Sequence, residues 1–302
     1  MNNRERYFGI VPPLLTPLTM DDHFDRGAFI RQIEHSLSGG VHGLFPCSSS
    51  GESVHIPRNI WEEANKVALE AGKGKCPVYC GAIASSTWQV IENIKFLEDI
   101  GAEIAVVTPP FYLPQILQSE ILRHYFAILE KTKIKLCVYN MPGLTGGLDI
   151  SSETIYELAK HERIVAYKDS CPNWDHHQRG LTKLRDLDVA VFSGGEELFG
   201  ASILFGSQGN ISGLAMTFPK LFVQEYEAAK KGDVAKVVAL QEKVLELKNI
   251  NYSTQNCFSA MKYALNTIGI GLDRMCIPME PITREEKKAI DTISAKFREY
   301  AF

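Results

Sequence analysis

The chain has 302 residues, of which 45% are hydrophobic and 23% are charged, and its formal net charge is −4. This composition is typical of a globular protein, and the mildly negative charge gives no basic footprint for nucleic acid. No run approaches the roughly 20 apolar residues that a membrane helix needs, and the first residues lack the apolar stretch of a signal peptide. We therefore expect a cytoplasmic protein whose seven cysteines are free thiols.

Short apolar runs, rich in β-branched and aromatic residues, alternate with helical segments along most of the chain. Their uninterrupted apolar character is typical of parallel strands that are covered on both faces. Eight units within about 230 residues favour a closed (β/α)8 TIM barrel over an open, doubly wound sheet. The eight predicted strands begin near Ile10, Gly43, Pro77, Glu103, Lys135, Ile164, Val189 and Gly209.

The segments between these runs have apolar residues at helical spacing, and after Pro219 the pattern is helical throughout. One helix is enough to complete the eighth unit of a barrel, so the remaining helices are surplus. The sequence therefore predicts two parts, a barrel over residues 1–231 and a C-terminal helical extension over residues 232–302 that packs on it.

In such a barrel, catalytic residues lie at the C-terminal ends of the strands. The sixth predicted strand ends in Tyr167-Lys168-Asp169. A charged lysine is costly to bury in an apolar strand, and a neutral amine is a nucleophile that forms Schiff bases with carbonyl groups. The alternative is a structural lysine paired with Asp169 or with an interior carboxylate, and the strand alone leaves both interpretations open.

Two other strand ends carry polar groups that could act together with Lys168. Tyr139 ends the fifth predicted strand. Adjacent strands of a parallel sheet lie about 4.8 Å apart, so Tyr139 should lie beside Lys168, where its phenol could move protons. The alternative is a tyrosine that lines the barrel with its hydroxyl satisfied. The turn over residues 48–52 offers hydroxyl and N–H groups suited to a carboxylate, or is an ordinary turn.

The fourth and seventh strand ends carry aromatic and acidic residues, respectively. The segment from Thr108 to Tyr112 contains two prolines and two aromatic residues, a pattern that favours an interface. Glu196 and Glu197 follow the seventh strand, where they could line the pocket and meet substrate hydroxyls. They are equally typical of acids that stabilise the first turn of a helix.

Taken together, these segments resemble the family of dihydrodipicolinate synthase and N-acetylneuraminate lyase, over nearly the whole chain. The segment from Met261 to Leu265 is also typical of this family. The resemblance implies that Lys168 forms a Schiff base with pyruvate, beside the phenol of Tyr139. It further implies that Ser49 relays protons and that Tyr112 reaches into the site of a neighbouring subunit.

The resemblance also implies a substrate-binding set and an assembly. Ser49 and Ser50 would hold the pyruvate carboxylate, and no metal or cofactor is expected besides the covalent Schiff base on Lys168. The partners would be small molecules, either pyruvate and an aldehyde or a 2-keto acid, and the assembly a homotetramer built from two dimers. The substrate-binding residues implied in this way are Ser50, Gly51, Leu144, Gly194, Glu196, Glu197 and Ile211.

Several positions depart from the family pattern and bear on the substrate. Leu144 stands where dihydrodipicolinate synthases carry an arginine that binds the carboxylate of aspartate semialdehyde, and leucine offers no donor in its place. This difference favours a lyase that cleaves or forms a C–C bond between pyruvate and an aldehyde in a 2-keto-3-deoxy sugar acid. Gly213 weakens a specific assignment as neuraminate lyase, because those enzymes use a serine there. Ser48 and Ser50 replace the usual glycine and threonine of the second strand end.

Other functions remain open from the sequence. Within the family, 4-hydroxy-tetrahydrodipicolinate synthase and a keto-deoxy acid dehydratase are the alternatives. Glycines after the seventh and eighth strands are compatible with a phosphate-dependent or metal-dependent barrel, although the histidines do not cluster at metal-ligand spacing. A non-catalytic binding protein is the third class. His176 and His177 could contact substrate, or begin a helix.

Overall fold

The computed structural model describes residues 2–112 and 117–302. Seven parallel strands form one sheet in the order β1-β7-β6-β5-β4-β3-β2, which confirms the predicted α/β fold with a parallel sheet. The strands are β1 (Gly9–Ile10), β2 (Tyr79–Gly81), β3 (Ile104–Val107), β4 (Lys135–Asn140), β5 (Ile164–Asp169), β6 (Ala190–Ser193) and β7 (Gly209–Asn210).

The second of the eight predicted strands does not form as a strand among the described residues. Instead, Leu44 and Phe45 make isolated parallel bridges to Val78 and Pro13. The Phe45 N–H donates to the Pro12 carbonyl over 3.1 Å, and the Tyr79 N–H donates to the Leu44 carbonyl over 2.8 Å. The prolines at positions 12, 13 and 46 have no N–H to donate, so a regular ladder cannot extend through this segment.

Helices alternate with the strands, and several begin at a residue whose side chain caps the first turn. Ser86 accepts from the Gln89 N–H at the start of α4, and Ser151 accepts from the Thr154 N–H at the start of α6. Caps of this kind satisfy backbone donors that the first helical turn leaves unpaired. The helices are α1 (Asn3–Arg6), α2 (Arg26–Ser38), α3 (Arg58–Gly72), α4 (Thr87–Asp99), α5 (Gln118–Lys131), α6 (Ser152–Ala159), α7 (Trp174–Lys183), α8 (Phe199–Leu204), α9 (Pro219–Lys230), α10 (Val234–Lys248), α11 (Cys257–Thr267) and α12 (Arg284–Lys296).

The two faces of the sheet have different environments. One face, called the inner face below, carries a buried cluster that includes Phe45, Tyr79, Tyr139 and Phe192. The other face packs against the helices; there, Tyr167 lies against α7 at Gly180. Because side chains alternate along a strand, Lys168 follows Tyr167 on β5 and points to the inner face.

The last helices contribute to the site as well as to the core. The side-chain amide of Gln241 on α10 donates to the Glu196 carbonyl over 2.9 Å, and its oxygen accepts from the Gly200 N–H over 3.0 Å. These bonds attach α10 to the segment that follows β6. Within the described residues, none of the helices combines the length and the apolar character required to cross a lipid bilayer.

Candidate active site

A cavity of about 520 Å³ opens beside the carboxyl ends of the strands. This is the edge at which sites form in folds of parallel strands. The cavity, called the first cavity below, brings together eight of the residues that the sequence analysis selected. They are Lys168, Tyr139, Ser49, Ser50, Gly194, Glu196, Glu197 and Ile211.

Lys168 lies on β5 between Tyr139 on β4 and Phe192 on β6, which are its partners in the register of the sheet. Its side chain is buried, and the Nζ atom lies 4.0 Å from the centre of the Tyr139 ring and 5.2 Å from that of Phe45. In the part of the chain that the structure describes, this Nζ makes no hydrogen bond and no ion pair. Aromatic faces attract a cation only weakly compared with a carboxylate, so the charged form of Lys168 is poorly compensated.

Asp169 does not neutralise Lys168, because it points to the opposite face of the sheet. Its Oδ1 accepts from Asn140 Nδ2 and from the Cys171 N–H, each over 3.0 Å. Its Oδ2 lies 3.0 Å from Nδ1 of His177. The structural pairing of Lys168 with Asp169, which the sequence left open, is therefore absent among the described residues.

The turn after Leu44 and Phe45 holds Ser49 and Ser50 against the first cavity. The Ser48 hydroxyl accepts from the Gly51 N–H over 3.1 Å, and the Thr16 hydroxyl donates to the Gly51 carbonyl over 2.7 Å. A Cβ at Gly51 would lie 2.6 Å from the Leu14 carbonyl oxygen. Gly51 is thus required for close packing of the turn, and it does not line the first cavity.

A buried ion pair fixes the end of the same turn. Glu52 has a φ of +57°, which is unfavourable for a residue with a side chain. Its Oε1 accepts from Lys262 Nζ over 2.6 Å, and its Oε2 accepts from the Cys276 N–H over 2.7 Å. Lys262 Nζ also donates to the Arg274 carbonyl over 2.6 Å. Two distant segments therefore hold the turn that carries the serines.

The wall of the first cavity after β6 is charged. Lys248, at the end of α10, makes an ion pair with Glu197 and lies 3.8 Å from Oε2 of Glu196. Burial raises the pKa of Glu196 above its ordinary value, and the nearby Lys248 only partly opposes this effect. Burial also disfavours the charged forms of Glu197 and Lys248. Their hydrogen bond outweighs it, so the pKa of Glu197 is lowered and that of Lys248 is raised.

Leu144 and Tyr112 lie apart from the other selected residues. Leu144 lines a second, mainly apolar cavity of about 430 Å³, which shares Ser49, Met141 and Phe258 with the first. Tyr112 is 92% exposed and has a φ of +83°. Among the described residues it lines neither cavity. Within one chain, therefore, the Tyr112 phenol is not brought to Lys168.

His176 and His177 belong to a hydrogen-bond network on the helix-covered face. The Nε2 atom of His177 lies 2.7 Å from the Ser202 hydroxyl, so Ser202, His177 and Asp169 follow the order of a hydrolase triad. All three are buried, and none of them lines either cavity within the described residues. This arrangement joins β5 to α7 and α8 and has no access for a substrate.

The same network contains the one group of potential metal ligands found among the described residues. Asp149, Cys171 and His176 each offer an atom within 4.8 Å of the others. Both ring nitrogens of His176 already have partners, Asp149 Oδ2 at 3.1 Å and Asn140 Nδ2 at 3.2 Å. Burial also raises the pKa of the Cys171 thiol, which disfavours the thiolate that metals bind. Hydrogen bonding therefore accounts for this cluster.

Sequence reasoning missed the residues that the C-terminal helices bring to the first cavity. These include Lys248, Asn251, Tyr252, Phe258 and Met261. These residues lie outside the strand ends, and a lysine at the end of an amphipathic helix carries no signal of its own. The contact of Met261 with Gly213, where a Cβ would lie 2.4 Å from the Met261 sulfur, is visible only in the structure.

Comparisons with known proteins identify the family to which the chain is similar. Residues 6–296 match the model of the dihydrodipicolinate synthetase family. A 4-hydroxy-tetrahydrodipicolinate synthase of Methanococcoides burtonii is 31% identical, with 93% of this chain and 95% of the relative covered. The dihydrodipicolinate synthase structure from Bacteroides thetaiotaomicron has a TM-score of 0.90 at 31% identity, covering 96% of this chain and 98% of the other. A synthase of Acinetobacter baumannii, complexed with pyruvate, has a TM-score of 0.90 at 26% identity, covering 96% and 99%.

The chain belongs to the dihydrodipicolinate synthetase family. This result confirms the resemblance that the strand-end motifs indicated. Enzymes of this family are class I pyruvate-dependent lyases, and the chain is an enzyme of that class.

Proposed function

We propose that Lys168 forms a Schiff base with the keto carbon of pyruvate or of a longer 2-keto acid. The observation that carries this proposal is the Lys168 amine itself, which is buried at the first cavity without a charged partner among the described residues. An amine that is not held by a carboxylate is available to attack a carbonyl carbon. The pyruvate complex of the Acinetobacter baumannii relative supports pyruvate as the ligand.

In the proposed mechanism, the Lys168 amine attacks the keto carbon, and Tyr139 and Ser49 move the protons that allow water to leave. Ser49 and Ser50 hold the carboxylate. The protonated iminium then withdraws electrons, so the C4 hydroxyl of a 2-keto acid loses its proton to the same groups and the C3–C4 bond breaks. An aldehyde leaves, and the enamine of pyruvate remains on Lys168. In the reverse direction, the enamine carbon adds to an aldehyde. No metal or cofactor takes part in these steps.

The assembly is part of the proposal, because one chain does not bring Tyr112 to Lys168. We propose that the seven strands and the bridged Leu44–Phe45 segment close a barrel over residues 1–231, with residues 232–302 as a helical extension. Two such chains would then pair so that each inserts Tyr112 beside Ser49 of the other, and two dimers would form a tetramer. The exposed ring of Tyr112 and the apolar second cavity next to Ser49 support this arrangement.

Two activities, which differ in the aldehyde that reacts with pyruvate, are candidates. The names of relatives, such as the Methanococcoides burtonii protein, favour 4-hydroxy-tetrahydrodipicolinate synthase, which the sequence analysis had ranked behind a sugar-acid lyase. The second candidate is an aldolase acting on a 2-keto-3-deoxy sugar acid. It is favoured by Leu144, which gives the second cavity no cation for a carboxylate. The polar wall formed by Glu196, Glu197 and Lys248 also favours it, since such groups bind hydroxyls.

The proposal is tested by incubating the protein with pyruvate and borohydride, followed by intact mass measurement and peptide mapping. We expect one pyruvyl adduct per chain, located on Lys168 and absent from a Lys168→Met variant. A Lys243→Met variant, which removes an exposed lysine of α10, should be trapped like the wild type. An adduct on a different lysine, or none where a known Schiff-base lyase is trapped, would overturn the assignment.

The acceptor is tested separately on protein that has not been treated with borohydride. One assay supplies pyruvate and aspartate semialdehyde, and a second supplies 2-keto-3-deoxygluconate. Condensation with aspartate semialdehyde would establish the first candidate. Release of pyruvate from the sugar acid, measured by a coupled dehydrogenase, would establish the second. Loss of water from the sugar acid without release of pyruvate would identify the dehydratase instead.

A further inference from the structure

The segment that follows β6 forms one wall of the first cavity, and this wall has an unusual arrangement of charges. One ammonium group, that of Lys248, lies between two carboxyl groups, Glu197 in direct contact and Glu196 at 3.8 Å. The Lys248 side chain is only 13% exposed, so its charge is screened little by solvent. Lys168 and Lys248 line the same cavity, but only the second is neutralised.

This arrangement decides which groups the wall can accept. Lys248 is already compensated by Glu197, so it offers little attraction to a further anion. An incoming carboxylate would also meet Glu196 and Glu197, and like charges that are desolvated together repel strongly. The wall is therefore unfavourable for an acceptor that carries a negative charge at the end remote from the aldehyde.

The hydrogen-bonding capacity of the wall points in the same direction. The carboxyl groups of Glu196 and Glu197 are acceptors, and the side-chain oxygen of Asn251 is buried without a donor among the described residues. Buried acceptors without donors are destabilising until a ligand or water supplies one. Hydroxyl groups can donate to these oxygens and can also accept from Lys248.

We propose that Lys248 sets the acceptor specificity of the enzyme, by neutralising the Glu196–Glu197 wall and orienting it to bind an uncharged, hydroxylated aldehyde. This proposal rests on the Schiff base at Lys168, since the acceptor has to meet the pyruvate enamine in the same cavity. Lys248 is a specificity-determining residue in this view, and it takes no part in forming the Schiff base.

The experiment compares two four-carbon aldehydes with pyruvate as the donor. Erythrose is neutral and hydroxylated, and succinic semialdehyde ends in a carboxylate. We expect the wild type to prefer erythrose at least about tenfold in kcat/KM. A Lys248→Met variant should lose about tenfold or more in kcat/KM for erythrose, mainly through KM, because the wall loses its donor and its neutralising charge.

A second variant makes the test independent of any loss of folding. Glu197→Gln removes the direct partner of Lys248 and frees the ammonium, so the ratio of kcat/KM for succinic semialdehyde over erythrose should rise about tenfold. Lys243→Met on the same helix is the matched control and should leave the ratio as it is. An unchanged kcat/KM for erythrose in Lys248→Met, or an unchanged ratio in Glu197→Gln, would overturn the proposal.

Borohydride trapping of pyruvate separates this inference from the function on which it rests. If the wild type gives no adduct on Lys168, the Schiff-base function itself is wrong. If wild type and Lys248→Met are both trapped but have the same kcat/KM for erythrose, only the role of Lys248 is wrong. Trapping in all variants together with the expected shift in preference would establish both.

Discussion

Among the described residues, two lysines are buried, and their surroundings differ in how the charge of the amine is compensated. Lys262 on α11 is 2% exposed, and its Nζ contacts Glu52 and the Arg274 carbonyl, each at 2.6 Å. Lys168 on β5 is 4% exposed, and its nearest charged or polar compensation is the face of an aromatic ring. Burial is the same in both, so compensation of the charge is what separates the structural lysine from the proposed nucleophile.

Each lysine can be replaced singly by methionine, which keeps much of the side-chain volume. The largest effect, on catalysis, is expected at Lys168. Lys168→Met should lower kcat at least about 10³-fold, because the other amine of the first cavity, Lys248, is held in an ion pair with Glu197. Its free energy of unfolding should stay the same or rise, since an uncompensated charge has been removed. Steady-state kinetics and urea unfolding measure the two quantities. A large loss of stability in Lys168→Met, together with residual activity, would show that Lys168 is the structural lysine.

Lys262→Met should behave in the opposite way. Removing one partner of a buried ion pair leaves Glu52 charged and uncompensated, which costs about 3–5 kcal/mol of the free energy of unfolding. Glu52 must also keep its φ of +57° without its anchor. A Glu52→Gln/Lys262→Met double variant should recover a large part of that loss, because neither charge is then left alone. Additive losses in the double-mutant cycle would show that the two side chains act independently.

Tyr139→Phe tests whether the aromatic neighbour of Lys168 acts through its hydroxyl or only through its ring. The ring and its contact with Lys168 are retained, so pyruvate trapping at saturation should persist. The loss of the proton-transferring hydroxyl should lower kcat about 10²-fold, with little change in stability. Stopped-flow measurement of Schiff-base formation checks the slow step. A rate equal to that of the wild type would leave the phenol without a chemical role.

The sequence predicted those parts of the site that depend on one strand and its neighbour. A lysine within an apolar strand, and a tyrosine one unit before it, could be recognised because parallel strands place both at the same edge of the sheet. The second predicted strand failed because composition alone did not weigh the missing N–H groups of the prolines beside it.

The remaining parts depend on contacts between residues far apart in the chain. Glu52 and Lys262 are separated by 210 positions, and Lys248 reaches Glu197 across 51. Neither lysine differs in local pattern from the solvated lysines of an amphipathic helix. Their roles follow only from the way the last helices pack beside the strand ends.

The smallest expected effect concerns stability and comes from replacing a buried glutamate, Glu225, which extends the comparison from lysines to acids. Both carboxyl oxygens of Glu225 on α9 are buried without a hydrogen-bond partner among the described residues. Burial raises its pKa from 4.5 to about 8. Like the Lys168 amine, the Glu225 carboxyl group has no charged or hydrogen-bonding partner among the described residues. Unlike Lys168, Glu225 lines neither of the two cavities described above. We therefore expect it to affect stability and not catalysis.

Between about pH 5 and pH 8 the folded protein keeps the Glu225 proton that the unfolded chain releases, so the free energy of unfolding falls as pH rises. The contribution is about 1.4 kcal/mol per pH unit at most, and it levels off above the folded pKa. Glu225→Gln should flatten this slope and make the protein more stable than the wild type at pH 8. Urea unfolding at several pH values measures the slopes, with Glu227→Gln, an exposed acid on the same helix, as the control. Equal slopes in Glu225→Gln and wild type would mean that the carboxyl finds compensation in solution, and that an uncompensated buried charge in this fold is confined to the Lys168 site.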